Sequence, residues 1–352
     1  MSEGFLKRLG HFFHTKPATE HKADIQIAQN CSGSPSRTSF REDKIQACLK
    51  GPSIDLTVLR QLIWSGCPPS LRARAWSIAL GYLPSQTTRH EDVLMKKRSE
   101  YRSILVTEAS ASSPQALDIL RQIRLDLPRT YTELPFFFTH EGSAMMERIL
   151  LTWAVRNPAS SYVQGVNDII VPIIATLFEE HEGAELTEQI ILNAEADAYW
   201  LLSKLLGDIQ DHYIFGQPGI QRMTMKLKDL LRKTDEELSA HFEQEGLDLL
   251  QVTFRWLNCL LVRELPLKCL QVTWDACIAE SDGFNIFLVY VCNVLLCHWS
   301  DELKKLDFQG LMLFMRKLPT DSWTSVQVET LMAEAFVLKS LFEASPAHLQ
   351  TS

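Results

Sequence analysis

Apolar residues recur at helical spacing along most of the chain. Between residues 145 and 157 they repeat at i, i+3, i+4 and i+7, as on one buried helix face: Met146, Ile149, Leu150, Trp153 and Ala154. The same period returns in residues 195–206, 220–231, 247–265, 270–279, 284–299, 308–318 and 326–342. No stretch of four or more residues alternates strictly between turn residues, as strands would. The pattern predicts an all-α, multi-helical fold.

The helical period begins only at residue 44. Residues 15–43 have no apolar period and include a Ser/Thr-rich stretch from Cys31 to Ser39, a composition that cannot offset the entropy of ordering. We therefore predict a flexible N-terminal tail over residues 1–43, a single large helical domain over residues 44–345 and a short C-terminal tail over residues 346–352.

The first fourteen residues carry an amphipathic pattern. One helical face would hold Phe5, Leu6, Leu9, Phe12 and Phe13. Two interpretations stay open: a short helix that makes weak contact with a membrane surface or a partner, or a terminus that frays or packs onto its own domain.

The charge distribution argues against nucleic acid as a partner. The formal net charge is −8, and residues 1–48 contribute +2, which leaves −10 for the rest. An acidic body is a poor binder of phosphate backbones. The longest apolar run, residues 284–299, is 16 residues long and includes polar side chains. A bilayer needs about 20 predominantly apolar residues, so we expect a core helix there.

The eight cysteines form no Cys-x-x-Cys pair and mostly lie in apolar runs. Reduced, buried thiols in a cytoplasmic protein are the expected state. His181-Glu182 lacks a second metal ligand one helical turn away, and no glycine-rich loop carries the Lys and Ser/Thr of a phosphate site. We expect neither a metal site nor a GTP site in this chain.

Two polar motifs flank the helix of residues 145–157. The first is Ile123-x-x-Asp126-x-x-Arg129, and the second is Tyr162-x-Gln164-Gly165-x-Asn167. Taken singly, each is compatible with ordinary structure, because an Asp and an Arg at i, i+3 are usually a surface helix pair. In this order they resemble the paired signatures of TBC domains, the GTPase-activating proteins (GAPs) for Rab GTPases. Further resemblance lies in Trp64, Arg72, Trp76, Arg263-Glu264 and Trp274-Asp275.

The resemblance implies a role for each motif. A small GTPase hydrolyses GTP slowly because its site lacks a positive charge on the phosphates and a firmly held attacking water. Arg129 would be the arginine finger, since a guanidinium stays charged and presents a rigid fork of donors. Gln164 would be the glutamine finger, since an amide both accepts from water and donates. Both would act in trans on a GTP-bound Rab.

The neighbouring motif residues would support the two fingers. By the same resemblance, Asp126 would orient Arg129, while Tyr162, Asn167 and Asp168 would shape the Gln164 loop and meet the GTPase. Gly165 would leave room for the GTPase backbone. Mg²⁺ and GTP belong to the partner, so no cofactor is expected.

Three hypotheses remain for the whole chain. The first is a catalytic Rab GAP in vesicle traffic on Golgi-type membranes, because residues 208–220 resemble a Golgi-associated TBC group. The second is a non-catalytic TBC scaffold that binds a GTPase or a complex partner, a kind that often lacks one or both fingers. The third, a helical repeat array, is disfavoured because no period of about 33 to 47 residues emerges.

Overall fold

Helices form almost all of the regular structure. The computed structural model describes residues 37–109, 113–130, 132, 134–182 and 186–343. These residues contain sixteen α-helices: α1 (Arg37–Lys50), α2 (Leu56–Ile63), α3 (Pro69–Ala79), α4 (His90–Ala109), α5 (Pro114–Asp126), α6 (His140–Arg156), α7 (Val166–Glu179), α8 (Glu188–Asp208), α9 (Pro218–Thr234), α10 (Glu236–Gln244), α11 (Leu249–Asn258), α12 (Leu267–Ala279), α13 (Phe284–His298), α14 (Ser300–Leu303), α15 (Phe308–Arg316) and α16 (Ser325–Glu343).

Short 3₁₀ turns and one bridge complete the backbone. The 3₁₀ turns are Thr87–Arg89, Leu127–Arg129, Pro135–Phe138 and Gln210–His212. Within the described ranges the only β-type pairing is an isolated bridge between Ser53 and Gln86. The prediction of an all-α fold is confirmed.

The first helix begins earlier than the sequence pattern predicts. It starts at Arg37, whereas the apolar period starts only at residue 44. The reason is that α1 buries Ile45 and Leu49, whereas residues 40–44 are exposed or only partly buried and so leave no apolar stripe in the sequence. Part of the predicted flexible tail is therefore helical. Residues 1–14, with their two interpretations, and residues 346–352 lie outside the described residues.

One apolar core runs through both halves of the chain. In the C-terminal half, α13 packs against α9, α12 and α16, and in the N-terminal half α8 packs against α4, α6 and α7. Helices α3, α7 and α12 contact one another and join the halves. As predicted, α13 is a core helix whose apolar side chains are buried. No helix in the described residues has the length and apolarity to cross a membrane.

A buried polar cluster fastens the N-terminal helices to α12. The Asp275 carboxylate is fully buried and accepts from Trp76 Nε1 at 2.6 Å, from the Cys67 backbone N–H at 2.7 Å and from Arg72 Nε at 3.2 Å. Arg72 also donates to the Cys67 carbonyl oxygen at 2.5 Å and to Glu179 Oε2 at 3.0 Å. Because Cys67 contributes backbone atoms, the cluster does not depend on its side chain.

The cysteines are where the apolar runs place them. All seven in the described residues are free thiols, and six of these are buried. Burial raises the pKa of Cys67, Cys259, Cys277 and Cys292, which keeps these thiols protonated.

Candidate functional site

Arg129 lies at the end of a tightened helix turn. Helix α5 starts after Ser113, whose hydroxyl accepts from the Ala116 N–H at 3.1 Å, and it ends at Asp126. The chain continues as the 3₁₀ turn Leu127–Arg129, where Pro128 has no N–H to extend an α-helix. This turn leaves the Arg129 side chain 61% exposed while the Asp126 side chain stays only 7% exposed.

A buried carboxylate holds one edge of the Arg129 guanidinium. Nε and Nη2 of Arg129 donate to Asp126 Oδ1 at 3.0 and 2.5 Å. An arginine carries five N–H donors, so the edge formed by Nη1 and the second Nη2 hydrogen remains available. Among the described residues no side chain or carbonyl binds Nη1. The arrangement presents an oriented cation to solvent.

Gln164 lies on a loop between α6 and α7 that is held through its backbone. The loop needs left-handed backbone at Ser161, with φ of 53°, and at Gly165, with φ of 110°. Asn258 Nδ2 donates to the Gln164 carbonyl oxygen at 2.9 Å. The Gln164 side chain is exposed and makes no hydrogen bond with any described residue. Its amide is therefore free to bind another molecule.

Asn167 ties the Arg129 loop to the Gln164 loop. This side chain is only 1% exposed. Its Oδ1 accepts from the Gly165 N–H at 2.9 Å, and its Nδ2 donates to Thr130 Oγ1, also at 2.9 Å. Gly165 follows Gln164 and Thr130 follows Arg129, so one buried amide fixes the residue after each exposed side chain.

Tyr162 makes a second connection between the two loops. Its hydroxyl donates to Asp126 Oδ2 at 2.8 Å, on the oxygen that Arg129 does not use. Burial and the hydrogen bond to Asp126 raise the pKa of Tyr162, so the hydroxyl remains a donor at all ordinary pH values. The carboxylate of Asp126 is thereby held between the two motifs.

Asp168 connects the loops to a third segment of the chain. It is 1% exposed, and its Oδ2 accepts from Arg263 Nε at 2.7 Å. Arg263 Nη2 donates at 3.0 Å to the backbone carbonyl of Arg129. Burial alone would lower the pKa of Arg263, but the hydrogen bonds and charge of Asp168 raise it. Arg263, in the segment between α11 and α12, thus connects the backbone of Arg129 to the first turn of α7.

Comparison with known families agrees with this arrangement. A sequence model described as the Rab-GTPase-TBC domain matches residues 69–304, most of the chain. The chain belongs to the Rab-GTPase-TBC domain family. The prediction that the chain is a Rab-GAP TBC domain is confirmed.

Similar proteins cover nearly the whole chain. The GTPase-activating protein gyp1 of Schizosaccharomyces pombe is 42% identical over 358 residues, which include 98% of this chain and 69% of the relative. Human TBC1 domain family member 22B is 38% identical over 333 residues, or 91% of this chain and 66% of the relative. The chain therefore spans about two thirds of the length of these relatives.

Solved structures share the fold. The crystal structure of the Ypt/Rab-GAP domain of Gyp1p is 37% identical and superposes with a TM-score of 0.81, covering 86% of this chain and 98% of that one. The flagellar RabGAP TBC domain of Chlamydomonas is 25% identical, with a TM-score of 0.58. The likeness extends from sequence to the three-dimensional arrangement of this TBC domain.

A groove opens beside Gln164 on the surface of the TBC domain. Its volume is about 380 Å³. The lining includes Val163, Gln164, Gln217, Phe254, Asn258 and Arg263. This site groove combines apolar side chains, the free Gln164 amide, and the polar groups of Asn258 and Arg263, which have internal partners.

Gly165 has a structural role that the sequence did not predict. The sequence suggested that it leaves room for a partner backbone, but Gly165 is buried. A Cβ added there would lie 2.4 Å from Asn258 Nδ2 and 2.9 Å from Cys259 Sγ. Glycine is needed because the Gln164 loop packs closely onto the end of α11, and because of its positive φ.

The supporting residues Tyr162, Asn167 and Asp168 are buried in the site, and Asp168 also lines the site groove. Tyr162 is 7% exposed, and Asn167 and Asp168 are each 1% exposed. Their hydrogen bonds agree with the prediction that they shape the Gln164 loop, whereas their contact with a GTPase stays a prediction. Their polar atoms are turned inward toward Asp126, Thr130 and Arg263.

Sequence reasoning missed two residues that hold the loops. Arg263 was noted only as part of a family signature and Asn258 was not singled out, yet each binds a backbone carbonyl oxygen of a motif residue. These contacts join positions 94 and 134 residues apart. The signal that could have suggested them was a polar Asn and Arg within the otherwise apolar residues 256–263.

Proposed function

We propose that this TBC domain is a GTPase-activating protein for a Rab GTPase, and that Arg129 and Gln164 complete the GTPase active site in trans. One observation carries the proposal: two exposed polar side chains lie on loops that a single buried amide, Asn167, fixes relative to each other. A docked GTP-bound Rab brings Mg²⁺ and nucleotide, and this chain contributes a cation and an amide.

Arg129 supplies the charge. Phosphoryl transfer spreads negative charge over the oxygens of the departing phosphoryl group, and fixed cations stabilise that state more than the ground state. Asp126 binds the Nε and Nη2 edge, so the free Nη1 and Nη2 hydrogens can donate as a pair to phosphate oxygens. The orientation exists before docking, which reduces the entropy lost on binding.

Gln164 positions the water. Its amide oxygen accepts from the attacking water while its nitrogen donates toward the γ-phosphate. Asn258 donates to the backbone carbonyl oxygen of Gln164 and so holds the loop in place. The Gln164 side chain remains free to turn toward the partner. Neither finger forms a covalent bond with the substrate.

Single-turnover GTP hydrolysis on a panel of purified Rab proteins tests the proposal. At least one Rab is expected to hydrolyse GTP faster with the wild-type chain. Arg129→Ala should abolish most of an acceleration of roughly 10³ to 10⁵, or about 4 to 7 kcal/mol of barrier. Gln164→Ala should cost roughly 10² to 10³. Equal rates for wild type and Arg129→Ala on every Rab would reject the proposal in favour of a non-catalytic scaffold.

The proposed setting is vesicle traffic at Golgi-type membranes. Its support is the resemblance of residues 208–220 to a Golgi-associated TBC group. Co-localisation of the full chain with Golgi markers, together with activity on a Rab found there, is the corresponding test.

A further inference from the structure

Phe215 is the most exposed large apolar side chain in the described part of the protein. Its relative exposure is 102%, whereas the other exposed large apolar residues there reach at most 73%. Single exposed apolar residues are normal on protein surfaces. A fully exposed phenylalanine is different, because its ring buries no apolar area when the chain folds. The whole ring surface therefore remains available to a partner.

The turn that carries Phe215 is held in one conformation. Gly216 and Gln217 have φ of 76° and 45°, and the Gln217 N–H donates to the Ile214 carbonyl at 2.9 Å. From the first turn of α9, Gln221 Nε2 donates to the Gly216 carbonyl oxygen at 2.7 Å. A fixed turn presents the ring with little entropy left to lose on binding.

This turn is connected to the support of Gln164. The Tyr213 hydroxyl donates to the Asn258 carbonyl oxygen at 2.9 Å. The side chain of the same Asn258 holds the Gln164 carbonyl, also at 2.9 Å. One residue at the end of α11 therefore fixes both the turn and the Gln164 loop.

Phe215 also lies two residues from the site groove. Gln217 lines the groove together with Gln164. Two residues span at most about 7 Å, so the Phe215 backbone lies within that distance of a lining residue. A standard interface covers about 800 Å² per partner, a patch of roughly 16 Å radius. A GTPase that places the phosphates of its bound nucleotide at Arg129 and Gln164 therefore also covers this turn.

We propose that Phe215 is a docking residue for the GTP-bound GTPase, whose apolar surface beside the nucleotide receives the ring. This inference rests on the proposed function, since it assumes that the GTPase occupies the site groove. Phe215 makes no contact with the reacting atoms, so it contributes binding to the ground state and the transition state equally. The signature of that role is a change in KM with little change in kcat.

The test is steady-state kinetics with the GTP-loaded Rab that responds best to the wild-type chain. Phe215→Ala is expected to raise KM for the Rab about 10- to 100-fold, as loss of an aromatic anchor does, while kcat changes less than about threefold. Phe215→Leu should restore most of the affinity because it keeps an apolar side chain. Phe40→Ala is the matched control: Phe40 is 57% exposed in α1, which packs on α2 and α3 away from the site loops.

A binding measurement separates the docking role from catalysis. Arg129→Ala and the double variant Arg129→Ala/Phe215→Ala are titrated against Rab loaded with a non-hydrolysable GTP analogue. The double variant should bind about 10- to 100-fold more weakly. A KM within twofold of wild type for Phe215→Ala, with acceleration intact, overturns the docking role alone. If the wild-type chain accelerates no Rab, the proposed function fails and the docking role fails with it.

Discussion

Two of the arginine–aspartate pairs in the TBC domain differ in how they face solvent. In the pair Arg72–Asp275 both side chains are buried, and Arg72 reaches Asp275, Glu179 and the Cys67 carbonyl. In the pair Arg129–Asp126 only the carboxylate is buried, and the guanidinium side chain is 61% exposed. The same two residue types thus form a fully buried pair in one place and, in the other, a pair whose arginine faces solvent.

The difference in sequence separation indicates what each pair does. Arg72 and Asp275 are 203 residues apart, so their contact fixes the relation of distant helices. Arg129 and Asp126 are three residues apart and cannot hold distant segments together. A local pair with a buried carboxylate instead sets the direction of the cation. The first pair should matter for stability, and the second for activity.

Replacing Arg129 with Lys should abolish most of the GTPase-activating activity while leaving the fold intact. Lysine keeps the charge but loses the planar fork that binds Asp126 and phosphate oxygens together. We expect GTP hydrolysis to fall at least about 10³-fold, close to the Arg129→Ala value. The measurement is single-turnover hydrolysis by the responsive Rab.

The control for this prediction is stability. Because Arg129 is mostly exposed, the free energy of unfolding should change by about 1 kcal/mol or less. Wild-type activity in Arg129→Lys would mean that a point charge is sufficient, and the fork argument would be wrong.

Replacing Arg72 with Ala should have the opposite profile. The change leaves the Asp275 carboxylate buried with one fewer cation, and breaking a buried pair costs about 3 to 5 kcal/mol. Urea titration should give a correspondingly lower midpoint with an unchanged m-value. The rate of GTP hydrolysis per folded molecule should match wild type. A stable but inactive Arg72→Ala variant would contradict the division of roles.

Local patterns predicted the helices and the two exposed side chains, but they could not predict what holds them. Periodicity identified α6 and the core helix α13, because burial of one face repeats every turn. The contacts from Asn258 to Gln164 and from Arg263 to Arg129 depend on how distant segments meet. Neither spacing nor composition encodes such contacts.

Exposure was the other quantity that the sequence did not determine. Gly165 was taken for an open position and is packed against Asn258 and Cys259. Phe215 belongs to an apolar residue type that is usually buried, yet it is wholly exposed. The early start of α1 has the same origin, since an exposed helix face needs no apolar stripe.

His212 is a third case, a buried polar side chain that lacks a hydrogen-bond partner in the described part of the chain. His212 is fully buried, and within the described residues neither ring nitrogen has a hydrogen-bond partner. Burial lowers its pKa from 6.5 to about 4. As the pH falls below 6.5 the unfolded chain takes up a proton that the folded chain refuses, so stability is lost toward pH 4.

His212→Gln should remove this pH dependence. Between pH 7.5 and pH 5 the wild-type chain should lose about 2 kcal/mol more unfolding free energy than the variant. Urea titrations at the two pH values give the difference, and comparison with the variant cancels the contribution of other titrating groups. Parallel losses in both proteins would show that His212 is not the responsible group.

Of the substitutions considered, Asp126→Asn should have the smallest effect, and it tests directly whether Asp126 orients Arg129. Asparagine keeps an oxygen for Arg129 and places an amide against the Tyr162 hydroxyl, which can turn to accept, so the hydrogen bonds survive while the charge is lost. A less firmly aimed guanidinium should lower kcat about tenfold, with KM nearly unchanged. The double variant Asp126→Asn/Arg129→Ala separates aiming from other effects, because residues that act through each other are not additive. It should be no slower than Arg129→Ala alone, and a further tenfold loss would mean that Asp126 acts independently of Arg129.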